Sequence, residues 1–223
     1  MTGPTPLRDD QKARQVRLAA AFAESGIGSS ASLYVLVATI YRSTPEWLAH
    51  ALRVAPVARQ TGEELGLDER AIADIERAAW VGNLGRLVMG DLQGADGWDL
   101  ADMWSLGEHA RISADIVEAA PFLRGTAEIV RASRECFDGS GFPVSLRGAS
   151  IPLASRVVHL AETVDSLRSL CAALGVAPGT ANLEIVRCAG TRLDPDVVAA
   201  WLRCSEGPPR GILPGAIAQE RHF

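Results

Sequence analysis

Glu46 and His50 stand four residues apart in "PEWLAHALRVAPVARQ", a spacing that stacks a carboxylate and an imidazole on one face of a helix. Further along, His109 in "EHARISADIV" shares a stripe with Ile112 and Ile116, which turns its ring toward the core. Glu162 falls in "VVHLAETVDSL", near the edge of another apolar stripe. Carboxylates and imidazoles delivered by separate helices are how helical bundles build metal sites, so metal binding is the chemistry these residues could do. Each also has a plainer reading. Glu46 and His50 could form a surface ion pair. His109 could be a hydrogen-bonded core residue. Glu162 could pair with His159 one turn earlier.

A second cluster is the stretch "RECFDGSGFPVSLRGASIP", residues 134–152, which sets Gly139, Gly141, Pro143, Gly148 and Pro152 into one loop. So many backbone specialists imply a fixed, unusual path, either as a structural turn or as a recognition rim.

The elements that must position these groups are helical nearly throughout. "QKARQVRLAAAFAESG" reads as an amphipathic helix stopped at Gly26, and "SSASLYVLVATIYRS" as a more buried one. "STPEWLAHALRVAPVARQTGEELG" opens at a Ser/Thr cap with Pro45 in the first turn, and Pro56 is expected to kink it. "DERAIADIERAAWVGN" begins at an Asp cap and turns Ile72, Ile75 and Ala79 inward. "MGDLQGADGWD" reads as a loop; "HARISADIVEAA" and "PFLRGTAEIVRASRE" resume the helical period. In "PLASRVVHLAETVDSLRSLCAALG", Leu153, Val157, Leu160, Val164, Leu167 and Cys171 form one stripe. "DPDVVAAWLRC" is the last helix, ahead of a Pro/Gly-rich tail. The expectation is an all-α, single helical-bundle domain over 44–206, with a tail and helical extension over 1–43 and a loose tail over 207–223.

Composition excludes several classes. The chain has 223 residues, 48% hydrophobic and 22% charged, with a net charge of −5, so it has no electrostatic case for wrapping nucleic acid or anionic lipid. No stretch is apolar for the roughly 18 residues a membrane helix needs, and the N-terminus does not read as a secretory signal. Cys136, Cys171, Cys188 and Cys204 show no metal-knuckle spacing and read as thiols of a reducing cytoplasm. Lys12 is the only lysine.

From about residue 45 to 203 the sequence resembles the HD-GYP family, a branch of the HD metal-dependent phosphohydrolases. The resemblance rests on "HALRVAPVARQTGEELGL", "AAWVGNLGRL", "EHARISADIV", "RECFDGSGFPVSLRGASIPLASRVVHLAETVDSL" and "GTRLDPDVVAAWL". It implies a helical bundle around a two- or three-metal centre of iron or manganese, and, in active members, hydrolysis of cyclic di-GMP. By the resemblance, Glu46, His50 and His109 fall on metal-ligand positions, Glu162 replaces an aspartate ligand, and Arg86 replaces a phosphate-contacting lysine. The defining His-Asp pair is replaced by Gly82 and Asn83, and two adjacent histidines by Ser133 and Arg134. The signature loop is kept in Asp138, Gly139, Gly141, Phe142 and Pro143, with Phe142 in place of tyrosine, whereas the "RPY" segment expected after Asp165 is missing.

Two cations held about 4 Å apart need anionic ligands between them to offset their repulsion. Asn83 offers a neutral carbonyl, Gly82 offers nothing, and Arg134 brings a permanent cation. The expectation is therefore a catalytically silent HD-GYP domain with no cofactor, serving as an interaction or ligand-sensing module in bacterial cyclic di-GMP signalling. The alternative is a phosphohydrolase with an altered iron or manganese centre on Glu46, His50, His109 and Glu162. The resemblance suggests a GGDEF-domain diguanylate cyclase as partner, through the signature loop. Intact cyclic di-GMP on Arg86, Arg134 and Arg168 is a further expectation; the N-terminal helices could serve homodimerisation or docking, or simply pack onto the bundle to cover apolar surface.

Overall fold

The computed structural model describes residues 7–26, 28–90, 100–177 and 179–205. Ten helices in chain order carry the described chain: α1 (Asp9–Glu24), α2 (Ser30–Ile40), α3 (Pro45–Glu64), α4 (Glu69–Val81), α5 (Leu84–Met89), α6 (Leu100–Val117), α7 (Arg124–Arg131), α8 (Leu153–Ala173), α9 (Gly179–Arg187) and α10 (Pro195–Cys204). No β-strand is present among the described residues; the pairing of Ala189 with Leu193 is an isolated bridge.

The apolar stripes build the bundle. α8 turns Val157, Leu160, Val164, Leu167 and Cys171 into the core, where they meet Val54, Ala55 and Ala58 of α3 and Ile75 and Ala79 of α4. α3 packs on α4, α8 and α10, while α6 packs on α5, α7 and α1. The two N-terminal helices are part of the same core: Phe22, Leu33, Val37 and Tyr41 are buried in it. Burying this surface is what holds the helices together, since a short isolated helix is marginal in water.

Local signals set most helix ends. Asp68 caps α4 by accepting from the Ala71 N–H at 2.8 Å, and α1 stops just before Gly26, whose φ is +61°. Thr44 occupies the N-cap of α3, with φ −137° and ψ 65°, but its side chain makes no capping bond. α3 runs on through Pro56, which leaves the Leu52 carbonyl without its helical N–H. α9 was not expected, and α5 is a separate short helix. The loop read at 89–99 and the C-terminal tail lie largely outside the described residues.

The join between α4 and α5 matters most for the site. At Asn83 the backbone leaves the helix with φ −101° and ψ 5°. The break is held by Ser113 on α6, whose hydroxyl accepts from the Gly85 N–H at 2.7 Å and lies 2.8 Å from the carbonyls of Gly82 and His109. Here α5 and α6 touch backbone to backbone, for a Cβ on Gly85 would fall 2.0 Å from the His109 carbonyl oxygen. Gly85→Ala should therefore force the helices apart. Urea denaturation should show a loss of about 2–4 kcal/mol.

Candidate functional site

The α4–α5 break delivers Gly82 and Asn83 to the same depth as Glu162 on α8. Asn83 and Glu162 are both buried, and a Cβ on Gly82 would lie 3.2 Å from Glu162 Oε1. The carboxylate of Glu162 is ion-paired with Arg134, which enters from the turn after α7; their side chains are 2% and 14% exposed. The pairing of Glu162 with His159 does not form. Instead the His159 ring donates through Nδ1 to the carbonyl of Glu135 at 2.9 Å.

A second guanidinium faces the same point. Arg86 on α5 donates from Nε to Asn83 Oδ1 at 3.0 Å and lies 4.7 Å from the centre of the Trp47 ring. Burial, and then the positive charge of Arg134, bring its pKa down to about 10. Tyr41 closes the group: burial and then the charge of Glu162 push its phenol well above the usual range. Glu162 is thus flanked by two cations and two buried polar side chains. Arg134 Nε, Asn83 Nδ2 and the Tyr41 hydroxyl have no hydrogen-bond partner among the described residues.

The other expected ligands are dispersed. His50 turns its Nδ1 to Asp165 Oδ2 at 2.7 Å, and Arg53 holds the same carboxylate at 2.6 and 3.1 Å. Burial raises the Asp165 pKa, but the bonds from His50 and Arg53 more than offset this, so it ends lowered. Glu46 is exposed in the first turn of α3 and makes no ion pair with His50. His109 is buried on α6 as expected. Ser133 turns inward and donates to the Val130 carbonyl at 2.9 Å. Arg168 is exposed in a separate groove between α3 and α8, shared with Leu52, Arg53, Pro56 and Asp165, so it does not join Arg86 and Arg134. Among the described residues no group of three or more His, Cys, Asp or Glu is placed to hold a metal. Of the expected ligands, Glu162 is taken up by the Arg134 guanidinium and His50 by Asp165.

Asp165, Arg53, Tyr41 and His159 were not foreseen as parts of the site. The signal available was Asp165 itself, one turn beyond Glu162 and therefore on nearly the same face of α8.

The glycine loop forms a rim beside this cluster. The buried Glu135 carboxylate accepts from the backbone N–H groups of Val144 at 2.8 Å and Leu146 at 3.0 Å. Asp138 accepts from the Ser140 N–H at 2.9 Å and its hydroxyl at 2.6 Å. At Gly141 the chain passes so close to itself that a Cβ would sit 2.0 Å from the Cys136 nitrogen. Phe142 packs onto α6, where a Cβ on Gly107 would meet the Phe142 Cβ at 2.3 Å. Gly139 takes a φ of +85°, and the Phe142–Pro143 peptide is cis.

The HD domain profile matches residues 35–197. The chain belongs to the HD-domain family. Within it the protein is a distant homologue of HD-GYP cyclic di-GMP phosphodiesterases. It is 32% identical over 121 residues to the cyclic di-GMP phosphodiesterase response regulator RpfG of Xanthomonas campestris, covering 52% of this chain and 32% of that one. It is 28% identical over 159 residues to a cyclic di-GMP phosphodiesterase of Thermotoga maritima, covering 69% of this chain and 43% of the relative. The HD-domain chain thus spans less than half the length of these curated relatives. In fold it is similar to the cyclic GMP-AMP specific phosphodiesterase V-cGAP3 of Vibrio cholerae, with a TM-score of 0.58 and 19% identity over 89% of this chain and 49% of that one. It is also similar to Bd1817, an HDG"Y"P protein of Bdellovibrio bacteriovorus, with a TM-score of 0.60 and 15% identity over 88% of this chain and 70% of that one. No helix among the described residues is long and apolar enough to cross a membrane.

His159 makes the interior of this HD domain sensitive to acid. Burial first, then the charges of Arg134 and Arg192, lower its pKa from 6.5 to about 3. The unfolded chain takes up this proton below about pH 6.5, while the folded chain resists it. Stability is therefore fully present above that value and declines as pH falls toward 3. His159→Asn keeps an N–H for the Glu135 carbonyl without the titration. Chemical denaturation from pH 7 to 4 should show a shallower loss for this variant, by up to about 1.4 kcal/mol per pH unit.

Proposed function

We propose that this HD-domain protein is a non-hydrolytic module of cyclic dinucleotide signalling, whose metal site has become a buried arginine–carboxylate site. The observation that carries this reading is the ion pair between Arg134 and Glu162. By the family resemblance, Glu162 is the carboxylate on which a metal would rest. A divalent ion seated there would have to displace a guanidinium that cannot lose its charge, into a space shared with Arg86. Gly82 and Asn83 supply no anionic ligand to offset that repulsion. The rim of Asp138, Gly139, Gly141, Phe142 and Pro143 remains built and braced by Glu135, which supports a docking role toward a protein such as a GGDEF-domain cyclase.

A second reading, a metal-dependent phosphohydrolase with an altered iron or manganese centre, is favoured by two observations. The curated relatives named above are phosphodiesterases. In addition, the Asp165 bond to His50 Nδ1 leaves Nε2 facing away from that carboxylate, the arrangement by which a carboxylate orients a metal-binding histidine. Glu46, His50, His109 and Glu162 would be its ligands and Arg86 its phosphate contact.

Elemental analysis of protein produced with added iron and manganese, alongside assays with cyclic di-GMP and 3′3′-cGAMP, separates the two. The expected outcome is metal far below one ion per chain and no linear product. Stoichiometric metal with turnover, both abolished by His50→Ala and by His109→Ala, would establish the hydrolase instead.

A further inference from the structure

Along the groove between α3 and α8, apolar surface lies open. Leu52, Pro56 and Ala172 are exposed there beside Val57 and Val164, and the groove holds about 530 Å³. That falls within the range of about 300–1,000 Å³ for clefts that bury a ligand. Leu52 keeps 43% of its surface in solvent. Two polar features accompany this surface. Pro56 has no N–H, so the Leu52 carbonyl lacks its helical donor beside the groove. Arg168 lies 5.9 Å from the centre of the Trp201 ring and has no ion pair among the described residues. The groove therefore calls for aliphatic side chains, a backbone N–H and a carboxylate.

One segment of this chain carries all three and starts from the right place. α10 packs against both α3 and α8, and its last turn is fixed to the end of α3 by the bond from Arg203 Nε to Glu64 at 2.5 Å. Pro56 lies about 12 Å back from Glu64 along α3, at the helical rise of about 1.5 Å per residue. The stretch "EGPPR" after Ser205 can span up to about 16 Å, enough to bring the following "GILPGAIA", residues 211–218, over the groove. In that run Ile212, Leu213 and Ile217 supply aliphatic side chains. Pro208, Pro209 and Pro214 favour extended backbone, whose N–H groups are free to donate. Glu220 follows three residues after Ile217.

We infer that residues 211–218 dock in the α3–α8 groove of their own chain, setting Leu213 and Ile217 against Leu52 and Pro56, with Glu220 turned toward Arg168. Attachment favours this occupant over a second copy. A short tether raises the effective concentration to the millimolar range, so a few contacts suffice. The docked segment covers the face beside Asp165, the carboxylate that holds His50. A partner using the same groove must first displace it. The inference goes beyond the proposed signalling role and does not depend on it.

Hydrogen exchange read by mass spectrometry on the full chain, at a low and a high protein concentration, tests this. Amides of 211–218 should exchange about tenfold or more slowly than those of a free synthetic peptide of residues 206–223, equally at both concentrations. Leu52→Asp should return them to the peptide's rate, as should Leu213→Asp combined with Ile217→Asp. Val16→Asp, on the exposed face of α1, should leave the protection unchanged. The tail variant alters no residue of the bundle, so it separates loss of docking from loss of folding, and circular dichroism reports whether Leu52→Asp folds. Peptide-like exchange in the wild-type chain would overturn the inference. So would protection that survives in folded Leu52→Asp, which would place the segment elsewhere. Protection that falls on dilution would give the groove to the tail of a second copy and overturn it as well.

Discussion

The ion pair between Arg134 and Glu162 is the constraint around which the interior is arranged. Two charges taken out of water lose hydration, and removing either one strands the other at a cost of about 3–5 kcal/mol. Three positions fit that pair together. Glu162 has one methylene more than the aspartate that the family resemblance assigns there. Its Oε1 reaches to within 3.2 Å of where a side chain on residue 82 would begin, and Gly82 has none. Arg134 then meets the advanced carboxylate. A side chain at residue 82 would crowd this carboxylate, and loss of Arg134 would leave it buried and unpaired.

Further polar contacts tie the helices around this pair. Arg86 stacks on Trp47 and bonds to Asn83, so the polar interior still ties α3 to the α4–α5 break. Asp165 draws His50 and Arg53 of α3 onto α8. Hydrogen bonds and ion pairs thus link α3, α8 and the α4–α5 break across the interior.

Much of the fold was legible because each helix is periodic over its own length. The α8 stripe and the inward turn of His109 follow from spacing alone. α9 was missed because "GTANLEIVR" begins on a glycine, just past Gly175, and lacks a capping side chain. The site was legible in its residue types and not in its pairings. Arg134 was readable as a cation beside the pocket, but not as the partner of Glu162. His50 finds its carboxylate 115 residues away instead of at Glu46, one turn back on its own helix. Which of two faces wins depends on how α3 is rotated against α8, and that is set by packing across the bundle.

The contact between Phe142 and Gly107 ties the outside of the molecule to its inside. α6 carries Gly107 under the rim, His109 into the core and Ser113 into the α4–α5 break, all within two turns. Phe142 nests where Gly107 has no side chain, so the rim is seated directly on the helix whose Ser113 braces the break just ahead of Arg86.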